Sequence, residues 1–470
     1  MTDLAELTAV ELLEGYSEGS FTPVDATEAA LDRIEQRDGD LNAFVLVDRK
    51  VALSMAEESA KRWKNGETLG PGDGVPTSIK DLLLTKDWPT LRGSKLIEET
   101  GPWPDDAPAV ARLRETGAVF LGKTTTPEFA WKGVTDCLRH GETTNPWNSS
   151  RHAGGSSGGA AAAVGSGMGP WSVGTDGGGS VRIPASFTGT VALKPTYGTV
   201  PLYPSSPFGT LAHGGPMTRT VKDTALLLDI IAGFDSRDWS ALPTQTRSFT
   251  EGIEDGIEGL RIAYSPNLGF GKNDPEVQRL VDEAVKVLED QGAIVEQVDP
   301  QISDPIEAFH VLWFTGAAKV LEAYGDNALE NIDPGLRKGI EKYQDASALD
   351  YLSANAVRMD MGLIMGAFHE KYDLLVTPTM PITAFDCKRQ VPEGWDGDIW
   401  TSWTPYTYPF NMTQQPAASV PCGVSKTDGL PVGLQFVGAR TQDRLVLRGA
   451  RAYEKASGEP FARPVPPKSA

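Results

Sequence analysis

Apolar and polar positions along the chain change rhythm near Gly74. The first sixty residues read as helices with defined starts. Thr8 with Glu11 matches a capping box, and Thr22-Pro23 with Asp25 supplies a cap, a proline at the first helical position and an acid in the first turn. Leu31, Ile34 and Leu41 contribute to the apolar faces. Beyond Gly74, short apolar runs alternate with helical stretches. Residues 107–116 read as a helix closed by Gly117, and 118–121 as a buried strand. Residues 260–264, 293–298 and 373–376 read as further strands, with a helix over 275–291. This alternation indicates an α/β layer fold. From about Pro460 the chain is proline-rich and is expected to fray.

The pattern is broken in the middle. Between Gly154 and Gly179, 11 of 26 residues are glycine, about four times the density of the whole chain, where 50 of 470 are. Such a segment is either a linker or backbone that must approach something closely. Residues 160–164 read as a buried helix, and 171–173 and 191–193 as strands, so the packed reading is favoured. Its N–H groups would then be free to face a ligand.

Composition narrows the function. With 43 basic and 63 acidic side chains the formal net charge is −20, which repels phosphate backbones and anionic bilayers and excludes nucleic acid or a membrane as the expected partner. Cys137, Cys387 and Cys422 are too few and too scattered for a disulfide framework or zinc knuckle. The N-terminus has no basic start followed by an apolar run, and no stretch reaches about 18 apolar residues. A cytoplasmic enzyme is the expectation.

Several motifs fail on context. Gly117-Ala-Val-Phe-Leu-Gly122-Lys123-Thr124 matches a Walker A string, but its interior reads as strand and Pro127 follows closely. Gly154-Gly-Ser156-Ser157-Gly158 matches a nucleophile elbow, yet the preceding Asn148–His152 reads as polar and turn-like where that motif needs a strand. His140, His152, His213, His310 and His369 show no metal-ligand spacing, and no metal or cofactor is expected. The sequons at Asn148 and Asn411 carry little weight without a secretory signal.

Three pieces make chemical sense together. Lys80 lies among apolar neighbours in Gly74-Val-Pro-Thr-Ser-Ile-Lys80-Asp81-Leu. Burial would lower its pKa and make it a base, whereas pairing with Asp81 would make it structural. Ser156 and Ser157 lie in the first glycine cluster. Ser180 closes Asp176-Gly177-Gly178-Gly179-Ser180-Val-Arg182, where three glycines suit an oxyanion hole of backbone N–H groups. A serine needs a base to become a nucleophile, and lysine is a known alternative to histidine.

These residues resemble the amidase signature family. Its members carry G-G-S-S-G-G, a serine 24 residues after the first serine of that block in D-x-G-G-S-[IV]-R-x-P, and an upstream lysine in G-[VI]-P-x-x-[IVL]-K-D. Ser156 and Ser180 are 24 residues apart, and all three elements occur in order. The segments around Leu121–Ala130, Leu193–Thr196, Gly215–Arg219 and Ala417–Gly423 are also similar, so the resemblance spans roughly residues 5–455.

The resemblance implies an α/β fold with a large mixed, mostly parallel sheet of about eleven strands covered by helices. It implies a single domain over 1–470: a helical part to about 65, a catalytic core at about 66–300, a variable pocket part at about 301–410 and C-terminal core strands at about 411–455. It implies Ser180 as nucleophile, Ser156 in a cis peptide as proton relay, and neutral Lys80 as base. The N–H groups of Gly177, Gly178, Gly179 and Ser180 would hold the oxyanion. Ser157 would hydrogen-bond near Lys80, while Asp176 and Arg182 would fix the loop. Many members have isoleucine or threonine where Gly177 stands, so a more flexible hole is expected. Trp131, Trp313 and Phe314 are candidates for an apolar pocket. The expected activity is cofactor-independent hydrolysis of small apolar or aryl amides, extending to esters or carbamates, by a monomer or homodimer. The alternatives are the glutamine-hydrolysing amidase component of a tRNA-dependent amidotransferase, which needs partner subunits, and an inactive scaffold, which the intact Lys80, Ser156 and Ser180 disfavour.

Overall fold

The computed structural model describes residues 3–325 and 327–458, so the proline-rich tail lies outside the described residues. An eleven-stranded sheet forms its centre. In chain order the strands are β1 (Phe44–Val47), β2 (Pro76–Lys80), β3 (Val119–Thr124), β4 (Trp171–Asp176), β5 (Val191–Lys194), β6 (His213–Thr218), β7 (Arg261–Tyr264), β8 (Ile294–Gln297), β9 (Leu374–Pro378), β10 (Ala417–Val424) and β11 (Pro431–Gly438). Across the sheet they run β1-β3-β2-β4-β6-β5-β10-β11-β9-β7-β8.

The sheet is large and mixed as expected, but the expected parallel majority is corrected. Six of its ten neighbouring pairs are antiparallel and four are parallel. The parallel pairs form two patches, β3-β2-β4 and β9-β7-β8, and everything between them is antiparallel. The reason lies in the connections. Strands β10 and β11 are joined by residues 425–430 alone, enough for a hairpin, whereas a parallel pair needs a long crossover.

Helices cover the sheet and start where the chain signals them. Both expected capping boxes form, at Thr8 with Glu11 and at Thr22 with Asp25. Pro275–Asp290 buries Val277, Leu280, Val281, Ala284, Val285 and Leu288, one stripe of a 3.6-residue repeat. Gly158–Gly165 is buried all round except at its last residue, which its run of alanines permits. Among the described residues no helix is long and apolar enough to cross a membrane.

One expectation holds and one is corrected. The Walker-like string is strand: β3 runs through Gly122, Lys123 and Thr124, and only a three-residue 3-10 turn at Glu128–Ala130 follows, with no α-helix opening there. Asn148–His152, turn-like in sequence, is instead a short strand paired with Thr144–Asn145. Its first three residues are exposed on both faces, so it lacks the apolar alternation that marks a strand in sequence.

Gly122 shows why the string contains a glycine. A Cβ there would lie 1.9 Å from the Leu46 carbonyl oxygen of β1. Gly122→Ala should therefore push β1 off the sheet edge and destabilise the protein by about 1–3 kcal/mol, read as a lower midpoint in chemical denaturation. An unchanged midpoint would show that β1 yields freely.

Candidate active site

Strands β2 and β4 are parallel neighbours, with Thr77, Ser78 and Ile79 opposite Trp171, Ser172 and Val173. Their C-terminal ends therefore reach the same edge of the sheet. That register delivers Lys80 from β2, and Thr175 and Asp176 from β4, to one place. The Gly155–Ser156 peptide is cis, and Ser156 and Ser157 lie immediately before the helix Gly158–Gly165. A Cβ on Gly155 would sit 2.5 Å from the Val134 carbonyl carbon, so glycine lets the serine loop press against that backbone.

Lys80 is fully buried. Its Nζ donates to Ser156 Oγ at 2.7 Å, Ser157 Oγ at 2.9 Å and Thr175 Oγ1 at 2.9 Å. Burial pushes its pKa well below the ordinary lysine value, and the field of Asp176 offsets this only in part. Among the described residues Asp81 is not its partner. Asp81 instead faces Lys123, with Nζ 3.4 Å from Oδ1. Sequence reasoning misses Thr175 because threonine in a strand needs no chemical explanation. Its only signal is its place directly before Asp176.

Ser180 is 4% exposed and shares a cavity wall with Ser156, Thr175 and Gly177. Its carbonyl accepts from the Ser157 N–H at 3.1 Å, tying the two glycine clusters together. Asp176 accepts from the Gly179 N–H at 2.8 Å and from the Val181 N–H at 3.2 Å. The N–H of Gly179 is thus engaged and leaves the expected oxyanion set. The N–H groups of Gly177, Gly178 and Ser180 have no hydrogen-bond partner among the described residues.

Gly177 and Gly178 are packed against aromatic rings. A Cβ on Gly177 would lie 2.8 Å from the indole of Trp313, and one on Gly178 would lie 2.7 Å from that of Trp400. Aromatic rings occupy the space that larger residues would fill.

The loop is anchored from below. Arg182, fully buried, donates to both Asp176 oxygens, to Asn411 Oδ1, to Gln435 Oε1 and to the Thr407 carbonyl. Burial alone would raise the Asp176 pKa, but Arg182, Lys194 and Asn411 overcome it and hold the carboxyl well below its usual range. His213 lies behind the same loop with its pKa lowered, first by burial and then by Lys194. Asn411, a sequon asparagine by its sequence, is fully buried here.

The cavity measures about 820 Å³ including its open mouth. Leu82, Leu83, Phe129, Pro207, Phe208 and Trp313 supply much of its apolar wall. Of the three expected pocket aromatics only Trp313 lines it, with its ring centroid 4.3 Å from that of Phe208. Phe314 comes one helical position later, about 100° round the helix, and stacks on Tyr343. Trp131 is buried behind the wall, where its carbonyl accepts from Trp313 Nε1 at 3.1 Å. The loop carrying Leu202–Phe208 and the charged Arg92 escape sequence reasoning because nothing in their local sequence marks a pocket. Elsewhere, donor atoms of Glu142, His152 and Cys387 come within 4.8 Å of one another, a grouping that the sequence spacing does not show. It could hold a thiophilic cation, but none of the three lines the cavity.

Comparison with known proteins supplies the family. The amidase family model matches residues 25–447. An acylamidase from Rhodococcus erythropolis is 38% identical over 458 residues, covering 95% of each chain. The chain belongs to the amidase signature family. Another relative of this amidase signature hydrolase is a glutamyl-tRNA(Gln) amidotransferase subunit from Chloroflexus aggregans, 34% identical over 497 residues and 99% of each chain. A crystal structure of a bacterial aryl acylamidase of the amidase signature family superimposes with a TM-score of 0.89 at 32% identity, covering 96% of each chain.

Within this amidase the Asp176–Arg182 pair is the support most exposed to test. Arg182→Met should leave a buried carboxylate uncompensated and cost about 3–5 kcal/mol in unfolding free energy. A loss below about 1 kcal/mol by urea denaturation would mean that the loop does not depend on the pair.

Proposed function

We propose that the protein is a stand-alone amidase that cleaves small apolar or aryl amides through a Ser180 acyl-enzyme, with esters and carbamates within reach of the same chemistry. The observation that carries this reading is Lys80, buried beside an apolar cavity with three hydroxyls and, among the described residues, no carboxylate on its Nζ.

An amine stripped of water favours its neutral form, and a neutral Lys80 can accept a proton. In the proposed sequence Ser180 Oγ attacks the amide carbon and passes its proton to Ser156 Oγ, which passes its own to Lys80 Nζ. The tetrahedral oxyanion is held by the free N–H groups of Gly177, Gly178 and Ser180. The C–N bond then breaks, the proton returns through Ser156 to the leaving nitrogen, and water hydrolyses the seryl ester by the reverse relay. Ser157 and Thr175 position Lys80 through their hydrogen bonds.

The cavity wall favours this reading over the amidotransferase one. Glutamine carries an ammonium and a carboxylate at the end remote from its amide. Among the described lining residues Arg92 is the only charged side chain, and there is no Asp or Glu to receive the ammonium. The similarity to an acylamidase supports the same choice.

Amine release from an aryl amide, an aryl carbamate and glutamine, assayed side by side with the purified chain, tests the proposal. Turnover of the aryl amide without glutaminase activity is expected, and ammonia from glutamine alone would reverse the assignment. Ser180→Ala and Lys80→Ala should each lower kcat by at least about 10³-fold, in keeping with unit-like behaviour of nucleophile and base, while circular dichroism stays unchanged.

The pH profile follows from the direction of the Lys80 shift. The active form is deprotonated and its pKa lies well below 10.5, so kcat/KM should fall as pH drops through that lowered value and level off above it. A limb centred at the ordinary lysine value would contradict a desolvated base.

A further inference from the structure

Outside the cavity, three side chains of metal-ligating chemistry converge from separate parts of the chain. Donor atoms of Glu142, His152 and Cys387 lie within 4.8 Å of one another, yet among the described residues none of these side chains hydrogen-bonds to another. His152 is fully buried, while Glu142 and Cys387 are half-buried. Backbone pairing brings them together. The His152 N–H donates to the Phe385 carbonyl at 2.9 Å and the Cys387 N–H to the Ser150 carbonyl at 3.0 Å, with Arg151 opposite Asp386 in antiparallel sense. His152 and Cys387 each follow a member of that opposed pair by one residue, so both fall on the same face. Glu142 arrives on the hairpin that pairs Asp136–Cys137 with Gly141–Glu142, and its Oε1 accepts from the Lys388 N–H.

The imidazole decides what this group can do. Its Nε2 lies 2.8 Å from the Arg389 carbonyl oxygen, which can only accept, so Nε2 carries the proton. In the neutral ring the lone pair is then on Nδ1. That atom is buried and has no hydrogen-bond partner among the described residues, and a buried polar atom in that condition calls for a reason. A carbonyl that fixes the tautomer through the far nitrogen is also the common companion of a histidine that ligates metal.

We propose that Glu142, His152 and Cys387 bind one Zn²⁺ ion through a carboxylate oxygen, Nδ1 and a thiolate, with water as the fourth ligand. Nitrogen, sulfur and carboxylate oxygen together suit zinc, whereas calcium and magnesium take oxygen. Tetrahedral coordination separates such donors by about 3.5 Å, a distance that rotation of the two half-buried side chains reaches. On binding, the Cys387 thiol gives its proton to solvent, and thiolate and carboxylate together cancel the charge of the ion. Nearby cations are already matched, Arg151 with Asp386 and Lys132 with Asp136 and Asp333.

The ion would act as a clamp. His152 stands four residues before Ser156, and Cys387 lies 235 residues beyond His152. Zinc would therefore fasten the segment that leads into the serine loop to the part of the chain after Phe385. None of its ligands lines the cavity, so it takes no part in the chemistry proposed for Lys80, Ser156 and Ser180.

Calorimetric titration of the untagged full chain with Zn²⁺ alone should show one ion per chain with a Kd of about 1 µM or below. Co²⁺, used as a coloured substitute, should give a thiolate-to-metal charge-transfer band. Cys387→Ser should abolish that band, and Glu142→Gln should weaken Zn²⁺ binding at least about 10-fold. Cys137→Ser and Cys422→Ser should leave both unchanged. Zn²⁺ should also slow amide hydrogen exchange in residues 150–152 and 385–388. X-ray absorption of the wild-type zinc form decides the matter if a variant fails to fold, with one sulfur at about 2.3 Å and nitrogen or oxygen at about 2.0–2.1 Å expected. The proposal is overturned by absence of micromolar binding, by a cobalt band that is missing or survives Cys387→Ser, by undiminished binding in Glu142→Gln, by unchanged exchange in the two segments, or by a zinc shell holding no sulfur or two.

Discussion

Removing the Lys80 amine from water without supplying a carboxylate is the constraint on which the site depends. A buried ammonium is expensive unless it is paired, and among the described residues its hydrogen-bond partners here are hydroxyls. The same chain contains buried lysines treated differently. Lys123 faces Asp81 and burial lowers its pKa only to about 8, while Lys132 is clasped between Asp136 and Asp333. Pairing makes those two structural. In the proposed mechanism the lack of a carboxylate partner frees Lys80 for proton transfer, and the sheet then supplies the rigidity that an ion pair would have given.

That rigidity comes from separating roles along β4. Thr175 turns to Lys80, whereas Asp176 turns away to Arg182 and to the N–H groups of its own loop. Charge is thus confined beneath the glycine loop and hydroxyls stand above it. The aromatic rings of Trp313 and Trp400 close the loop from the other side, so a stretch with three consecutive glycines is held by its surroundings instead of by its own side chains.

Much of this is legible in the sequence, and the misses have physical causes. Capping boxes, the 3.6-residue stripe of Pro275–Asp290 and the spacing of Lys80, Ser156 and Ser180 are local or motif-borne signals. Strand direction is not, because an apolar run reads the same whichever way its neighbour points, and the antiparallel majority escapes the sequence for that reason. Gly179 cannot be told from Gly177 and Gly178 until the Asp176 side chain is placed. Trp313 and Phe314 are adjacent in sequence, yet one lines the cavity and the other fills the core. Only the orientation of the helix Ile306–Leu321 distinguishes them. Arg92 and the loop 202–208 reach the cavity from distant segments and carry no local mark.

The partners of Arg182 have a further consequence for the life of the chain. Thr407, Asn411 and Gln435 come from the last quarter of the sequence, more than 220 residues after the arginine they hold. During synthesis the glycine loop before Arg182 emerges long before these residues exist, and contacts of such sequence separation form late. A nascent or C-terminally shortened chain therefore lacks the anchor that shapes its glycine loop. In the reading proposed for Ser180, competence for acyl transfer would therefore be tied to completion of the polypeptide.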